Sequence, residues 1–226
     1  MKSYAVIFDL NGTLVDSETA YFQAYKEVLN DYDIPFTLEL FTDYFSTRGK
    51  KLKDYLEDIG REDILEKLED ITRKKEEIFQ NTIAERVAMM NGVKDILDRL
   101  TIEQIMLGLD SSTSRENIDR MLTHHELRDY FDAIASGDMD LHEKYGDVKK
   151  KSSRLLFLAE SLRFDPVRCI VIGDAEKDLK GAKDIGMKAI AVPNVYTKNN
   201  DFSLADATFE SLEELDKKIM EKIIED

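Results

Sequence analysis

The sequence predicts an α/β fold in which a parallel sheet carries helices on both faces, with a second, wholly helical unit inserted near the N-terminus. Three observations predict it. Apolar runs of strand length recur at Tyr4–Leu10, Ile105–Leu109, Ala133–Ala135, Arg168–Ile172 and Lys188–Val192, mostly flanked by turn or acidic residues. The stretches between them carry helical periodicity, and short, continuously apolar strands alternating with helices imply a parallel sheet covered on both sides. Between Ser17 and about Glu85 the strand signal disappears and apolar residues follow helical spacing. The chain of 226 residues, 42% hydrophobic, is long enough for one ordinary domain plus a smaller lobe. The expected division is a sheet domain over 1–16 and 86–226 and a helical domain over 17–85.

Each element follows from its residues. The first strand runs into Phe8-Asp9-Leu10-Asn11-Gly12-Thr13, so a carboxylate leaves a buried strand directly into a Gly-containing turn. The inserted unit has Tyr21, Tyr25, Val28 and Leu29, then Leu52, Tyr55, Leu56 and Ile59, at helical spacing. Its charged segment Arg61–Glu77 keeps one apolar stripe through Ile64, Leu65, Leu68 and Ile71, which reads as a helix with a solvated face. The chain returns to the sheet near Gly92, with a helix over Val93–Leu100. After the second strand, Ser111-Ser112-Thr113-Ser114-Arg115-Glu116 carries a capping-box pattern, Thr113 with Glu116, that opens a helix and offers hydroxyls and free N–H groups to an anion. Lys149-Lys150-Lys151 places positive charge ahead of another helix. The fourth strand ends in Gly173-Asp174-Ala175-Glu176-Lys177-Asp178, with Asp174 and Asp178 one helical turn apart near the positive end of a helix dipole. A final amphipathic helix is expected to open at Ser211-Leu-Glu-Glu214.

Composition narrows the function classes. A formal net charge of −15, with Lys and Arg dispersed, argues against nucleic-acid binding. The apolar run near the N-terminus stops at Asp9, short of a signal-peptide core or membrane span, so a cytoplasmic protein without membrane association is expected, as a monomer or homodimer. One cysteine rules out an internal disulfide framework, and Cys169 in Cys-Ile-Val-Ile reads as a buried structural thiol. Three histidines, none at His-x-x-x-His spacing, argue against a histidine metal site. Carboxylates at two strand ends suit a hard cation such as Mg²⁺, which takes one or two carboxylates and completes its shell with water and substrate phosphate.

These segments, in chain order, resemble the four motifs of the haloacid-dehalogenase superfamily. Asp9-Leu-Asn-Gly-Thr-Leu-Val-Asp-Ser-Glu18 resembles the first motif, including the Asp-Ser-Glu of the branch containing phosphoglycolate phosphatases and β-phosphoglucomutases. Ser111 resembles the second-motif hydroxyl, and Gly173-Asp-x-x-x-Asp178 the fourth motif. Counting back from Asp165-Pro166 selects Lys149 as the third-motif lysine over Lys144, Lys150 and Lys151. The resemblance implies a Rossmann-like core with a helical cap and a small phosphorylated metabolite as substrate. It implies Asp9 as a nucleophile that becomes an aspartyl phosphate, with Asp9, the main-chain carbonyl of Asn11, Asp174 and Asp178 holding Mg²⁺ directly or through water. Ser111 and Lys149, with Gly12, Thr13 and Ser112, would contact phosphate. In the cap, Arg48 and Lys51, flanking Gly49, are the substrate-contact candidates.

Asn11 departs from the pattern. Phosphatases of the family carry there an Asp that protonates the leaving oxygen and then activates water, a contribution of about 10²–10⁴-fold. An amide keeps the shape and the main-chain carbonyl but has no proton to exchange. A trapping substitution, a slow natural enzyme and an enzyme for acyl or aryl phosphates all accommodate Asn11. Two further functions fit the motifs less well: a β-phosphoglucomutase-like phosphotransferase, which needs the missing acid twice, and a non-catalytic phospholigand-binding protein.

Overall fold

The computed structural model describes residues 4–48 and 50–225, so Gly49 lies outside the described residues. In chain order the elements are β1 (Ala5–Asp9), β2 (Val15–Asp16), α1 (Ser17–Asn30), α2 (Leu38–Leu40), α3 (Leu52–Asp58), α4 (Leu68–Arg86), β3 (Ala88–Met89) and α5 (Val93–Ile102). Then come β4 (Met106–Asp110), α6 (Arg115–His124), β5 (Ala133–Ala135), α7 (His142–Tyr145) and α8 (Lys150–Leu162). The chain finishes with β6 (Cys169–Gly173), α9 (Glu176–Lys183), β7 (Lys188–Ala191), β8 (Ala207–Thr208) and α10 (Lys217–Glu225).

Six strands form one sheet in the order β5-β4-β1-β6-β7-β8, every neighbouring pair parallel. Alternation along β1 divides the core: Val6 and Phe8 join the cluster under α5, α6 and α10, whereas Ala5 and Ile7 join the cluster under α8 and α9. The five expected strands are present, shifted by at most one residue at either end. β8, two residues long, is too short to leave a periodic signal.

The described residues within 17–85 contribute no strand to the sheet. Phe22, Leu29, Phe36, Phe41, Tyr55 and Ile71 share a third, aromatic-rich cluster, whereas Ala20, Ala24 and Phe79 pack into the sheet cluster. The two chain connections to these helices run side by side, because β2 and β3 pair antiparallel, Val15 opposite Met89.

Two helix starts differ from expectation. Thr113 does not cap α6: its hydroxyl turns inward to Asn11, and the N–H of Arg115 goes instead to the Asp138 carboxylate, at 3.1 Å to Oδ2. Ser211 accepts from Glu213 N and opens only a 3₁₀ turn over Leu212–Glu214, while the terminal helix α10 starts after Asp216, which accepts from Ile219 N. In both places a neighbouring carboxylate is the acceptor that wins the helix N–H groups.

Candidate active site

β1, β4 and β6 lie side by side, and their carboxyl ends bring Asp9, Asp110 and Gly173-Asp174 together, as expected of a parallel sheet. Asp9 and Asp174 are 4% and 3% exposed, and Asp110 and Asp178 not at all. One oxygen from each of Asp9, Asp174 and Asp178 lies within 4.8 Å of the other two. Asp178 reaches the group from the first turn of α9, where its Oδ2 accepts from Ala175 N at 3.1 Å. A Cβ on Gly173 would sit 2.5 Å from the Asp178 Cβ, so glycine is what lets this helix start close to the strand.

The cation among these acids is Lys151. Its Nζ is 2.8 Å from Asp9 Oδ1, 2.6 Å from Asp110 Oδ2 and 2.6 Å from Asp178 Oδ1. Lys149, selected by counting, points away: its ammonium pairs with Asp184 at 2.8 Å and its side chain is 75% exposed. The physical reason is helix phase. α8 begins at Lys150, and successive residues at its start are turned by about 100° from one another. Leu155, Leu158 and Leu162 form the buried stripe, and Lys151 lies one turn ahead of Leu155 on that stripe. Gly181 leaves room for the Lys151 stem, since a Cβ there would be 2.5 Å from Lys151 Cγ.

One buried partner of this lysine, Asp110, and the Arg154 that pairs with it carried no motif. Asp110 accepts from Arg154 Nε at 2.6 Å and from Arg154 Nη2 at 3.2 Å, so Arg154 and Lys151 together neutralise it beside Ser111. The signal available in sequence was an acid at the end of the apolar run Leu107-Gly-Leu-Asp110, followed on α8 by basic residues at helical spacing.

Charge shapes these groups. Burial, then the neighbouring Asp178, pushes the Asp9 carboxyl up to about 6 against the pull of Lys151. Asp174 is raised well above the carboxylate range by burial, then by Asp178 and Asp9. Burial would raise Asp178 too, but Lys151 and Lys177 outweigh it and hold this carboxyl below its ordinary value. For Lys151, burial favours the neutral amine, yet Asp110, Asp178 and Asp9 keep it firmly charged. Buried carboxylates that resist ionisation, with oxygens converging on one point, fit an oxygen-binding divalent cation.

Asn11 sits between the strand ends with its amide engaged on both sides. Its Oδ1 accepts from Ser111 Oγ at 2.7 Å and Thr113 Oγ1 at 3.1 Å, and its Nδ2 donates to Ser17 Oγ at 2.6 Å. Ser111 is buried and also accepts from Thr113 N at 3.1 Å. The other candidate phosphate contacts are differently placed. Gly12 N closes the turn on Val15 O at 2.8 Å, Thr13 Oγ1 reaches Asp174 Oδ1 at 3.4 Å, and Ser112 is exposed with its carbonyl packed against Gly137.

A cavity of about 420 Å³ opens from Asn11 and Asp174 toward the inserted helices, whose Tyr21, Tyr25, Phe41 and Phe45 line its far wall. Arg48 lines it and pairs with Asp43 at 2.7 Å, whereas Lys51 is exposed, starts α3 and is not part of the lining. The cation that sequence reasoning overlooked is Lys75. It belongs to the segment read as solvated, yet it is 8% exposed, with its ammonium 5.0 Å and 5.4 Å from the ring centroids of Tyr21 and Tyr25 and 2.9 Å from Glu76 Oε2.

Strand-end carboxylates, a largely buried lysine and a cavity walled by inserted helices form one candidate site at the carboxyl end of a parallel sheet. Residues 6–192 match the family model of haloacid dehalogenase-like hydrolases, and the chain belongs to that family. Protein CbbY of Rhodobacter capsulatus is 27% identical over 214 residues, spanning 91% of this chain and 92% of its own. The phosphorylated carbohydrates phosphatase of Thermotoga maritima is 29% identical over 188 residues, 82% of this chain and 83% of its own. A mutant of CbbY from Rhodobacter sphaeroides, solved in complex with xylulose-(1,5)bisphosphate, matches with a TM-score of 0.73 at 27% identity over 95% of this chain and 96% of that one. Among the described residues no helix is long and apolar enough to cross a membrane.

Proposed function

We propose that this protein is a Mg²⁺-dependent phosphatase of small phosphorylated metabolites, with Asp9 as nucleophile and residues 17–85 as a cap over the sheet domain of 1–16 and 86–226. The observation that carries the reading is Lys151, whose largely buried side chain contacts Asp9, Asp110 and Asp178 at the carboxyl end of the sheet. Asp9, Asp174, Asp178 and the main-chain carbonyl of Asn11 would hold Mg²⁺, which when bound supplies charge stabilisation to the phosphoryl oxygens.

The chain's own residues account for the rest. An Asp9 carboxylate oxygen attacks phosphorus as the ester P–O bond breaks, leaving an aspartyl phosphate and an alkoxide; water then attacks the phosphorus and restores the carboxylate. Lys151, in the place expected of Lys149, and the Ser111 hydroxyl offset the phosphoryl charge. The leaving oxygen must gain a proton and the attacking water must lose one, and Asn11 can do neither. Turnover of alkyl phosphates therefore lacks about 10²–10⁴-fold in rate, while acyl or aryl phosphates, whose leaving groups depart unprotonated, suffer less. A mutase would need that acid in both half-reactions, so Asn11 weighs more heavily against it. On the cap side, aromatic walls with Lys75 and Arg48 suit a sugar phosphate or similar polyol phosphate, and the Thermotoga maritima carbohydrate phosphatase supports that substrate class.

The test is Mg²⁺-dependent hydrolysis of p-nitrophenyl phosphate and of a phosphometabolite panel by this chain, Asn11→Asp and Asp9→Ala. We expect the alkyl phosphate rate to rise about 10²–10⁴-fold in Asn11→Asp. Asp9→Ala should be inactive, and full activity in that variant overturns the reading. Phosphate binding without turnover in every version would instead identify a phospholigand-binding protein.

A further inference from the structure

The turn after β7, Pro193-Asn194-Val195-Tyr196-Thr197, touches both halves of the molecule. Asn194 uses its whole amide. Its Oδ1 accepts from Tyr196 N at 2.8 Å, Thr197 N at 3.3 Å and Thr197 Oγ1 at 3.4 Å, which fixes the side chain within its own turn. That orientation aims the Nδ2 group at the strand ends, where it donates to Gly12 O at 2.9 Å and to Asp174 Oδ2 at 2.9 Å. The fit is close: Gly12 adopts a φ of +85°, and a Cβ there would lie 2.5 Å from Asp174 Oδ2 and 2.8 Å from Asn194 Nδ2.

With Oδ2 held by Asn194, the other Asp174 oxygen meets, among the described residues, only the distant Thr13 hydroxyl, 3.4 Å away, and is left for a cation. A neutral amide is well suited to this, since it orients the carboxylate and leaves its charge for the metal, whereas a lysine would cancel it.

Two residues further on, the same turn grips the inserted helices. Tyr196 is 6% exposed and packs in their aromatic cluster, its ring edge-on to Phe41 at 6.2 Å. Its hydroxyl lies 2.6 Å from Thr19 Oγ1, which donates at 2.7 Å to Asp16 Oδ2 at the start of α1.

We propose that Asn194 is a positioning residue that presents Asp174 to the cation, and that Tyr196, rigidly joined to it in one turn, couples cation binding to the seating of α1. The inference deepens the phosphatase reading and rests on its Mg²⁺ site. Carboxylate orienters of this kind contribute about 10–100-fold to metal affinity.

The test measures Mg²⁺ binding to substrate-free protein by titration calorimetry, so that it does not depend on turnover. Asn194→Ala and Asn194→Ser should weaken Mg²⁺ about 10–100-fold. The serine hydroxyl can still accept from the turn N–H groups, so that variant should keep the metal-free melting temperature of the parent. Hydrogen exchange in α1 should slow when Mg²⁺ is added to the parent, and this slowing should be lost in both Asn194 variants and reduced in Tyr196→Phe. Unchanged Mg²⁺ affinity in the Asn194 variants, or Mg²⁺ binding that leaves α1 exchange unaltered, overturns the inference while the phosphatase reading stands. A parent chain that binds no Mg²⁺ overturns both.

Discussion

The two walls of the cavity are built on opposite plans. On the sheet side the central charges are withdrawn from solvent and answered: Lys151 by three carboxylates, Asp110 by Arg154, Asp174 by Asn194. On the helical side the wall is aromatic, and its two cations are held loosely, Arg48 by an exposed Asp43 and Lys75 by ring faces and Glu76. Buried, multiply paired charges cannot change partner without heavy desolvation cost, so they fix one chemistry. Exposed pairs and ring contacts are worth far less and exchange readily with a ligand, so they select what is bound.

The sharpest way to break this contrast is to truncate Lys151 of α8 and Lys149, just ahead of that helix, in turn. Lys151→Ala should lower kcat by about 10²–10³-fold, because it removes the cation beside both nucleophile and phosphoryl oxygens. Lys149→Ala removes an exposed pair with Asp184 and should leave kcat/KM within about twofold. Steady-state kinetics on p-nitrophenyl phosphate decides, and a large loss in Lys149→Ala with little in Lys151→Ala would return the role to Lys149.

The sheet side was also the side legible in the sequence, and the reason is local. Asp9, Asn11, Ser111 and Asp174 lie at or just past the end of an apolar run, so strand direction carries them to one end of the sheet, and Asp178 follows one helical turn later at the start of α9. Lys151 sits on a helix, where neighbours in sequence point apart, and residue counting missed it; the phase set by Leu155, Leu158 and Leu162 would have found it. Lys75 was hidden because a charged segment reads as solvated, and only the placement of α4 against Tyr21 and Tyr25 buries it. Asn194 was out of reach altogether, since a Pro-Asn turn has the same sequence whether its amide faces solvent or a carboxylate 20 residues earlier in the chain.

A smaller effect is expected on the helical wall. Lys75→Met keeps most of the stem but removes the ammonium over Tyr21 and Tyr25. For an anionic phosphometabolite KM should rise about tenfold with kcat little changed, the pattern of lost uniform binding. Hydrolysis of p-nitrophenyl phosphate, whose remote end carries no anion, should be unaffected. An equal fall in kcat for both substrates would move Lys75 from selection to chemistry.

The smallest effect concerns the charge on the sheet side. In the metal-free protein burial pushes the Asp9 carboxyl up to about 6 and holds Asp174 well above its ordinary value, so both bind protons more tightly folded than unfolded. Their contribution to stability is complete below the unfolded carboxylate value of about 3.9 and fades as pH rises through the folded values. Asp178 is lowered and acts in the opposite sense at lower pH, and Lys151 stays charged throughout, so neither reverses the trend between pH 5.5 and 7.5. Mg²⁺ must displace the Asp9 proton at pH 5.5 and meets almost none at pH 7.5. The Mg²⁺-induced rise in melting temperature should therefore be larger at pH 7.5 than at pH 5.5, by on the order of a few °C, because binding has to displace that proton only at the lower pH. Comparing scans with and without Mg²⁺ at each pH cancels the titration of distant groups. An equal rise at the two pH values would mean that these carboxylates are already ionised without the metal, and that Lys151 balances the site by itself.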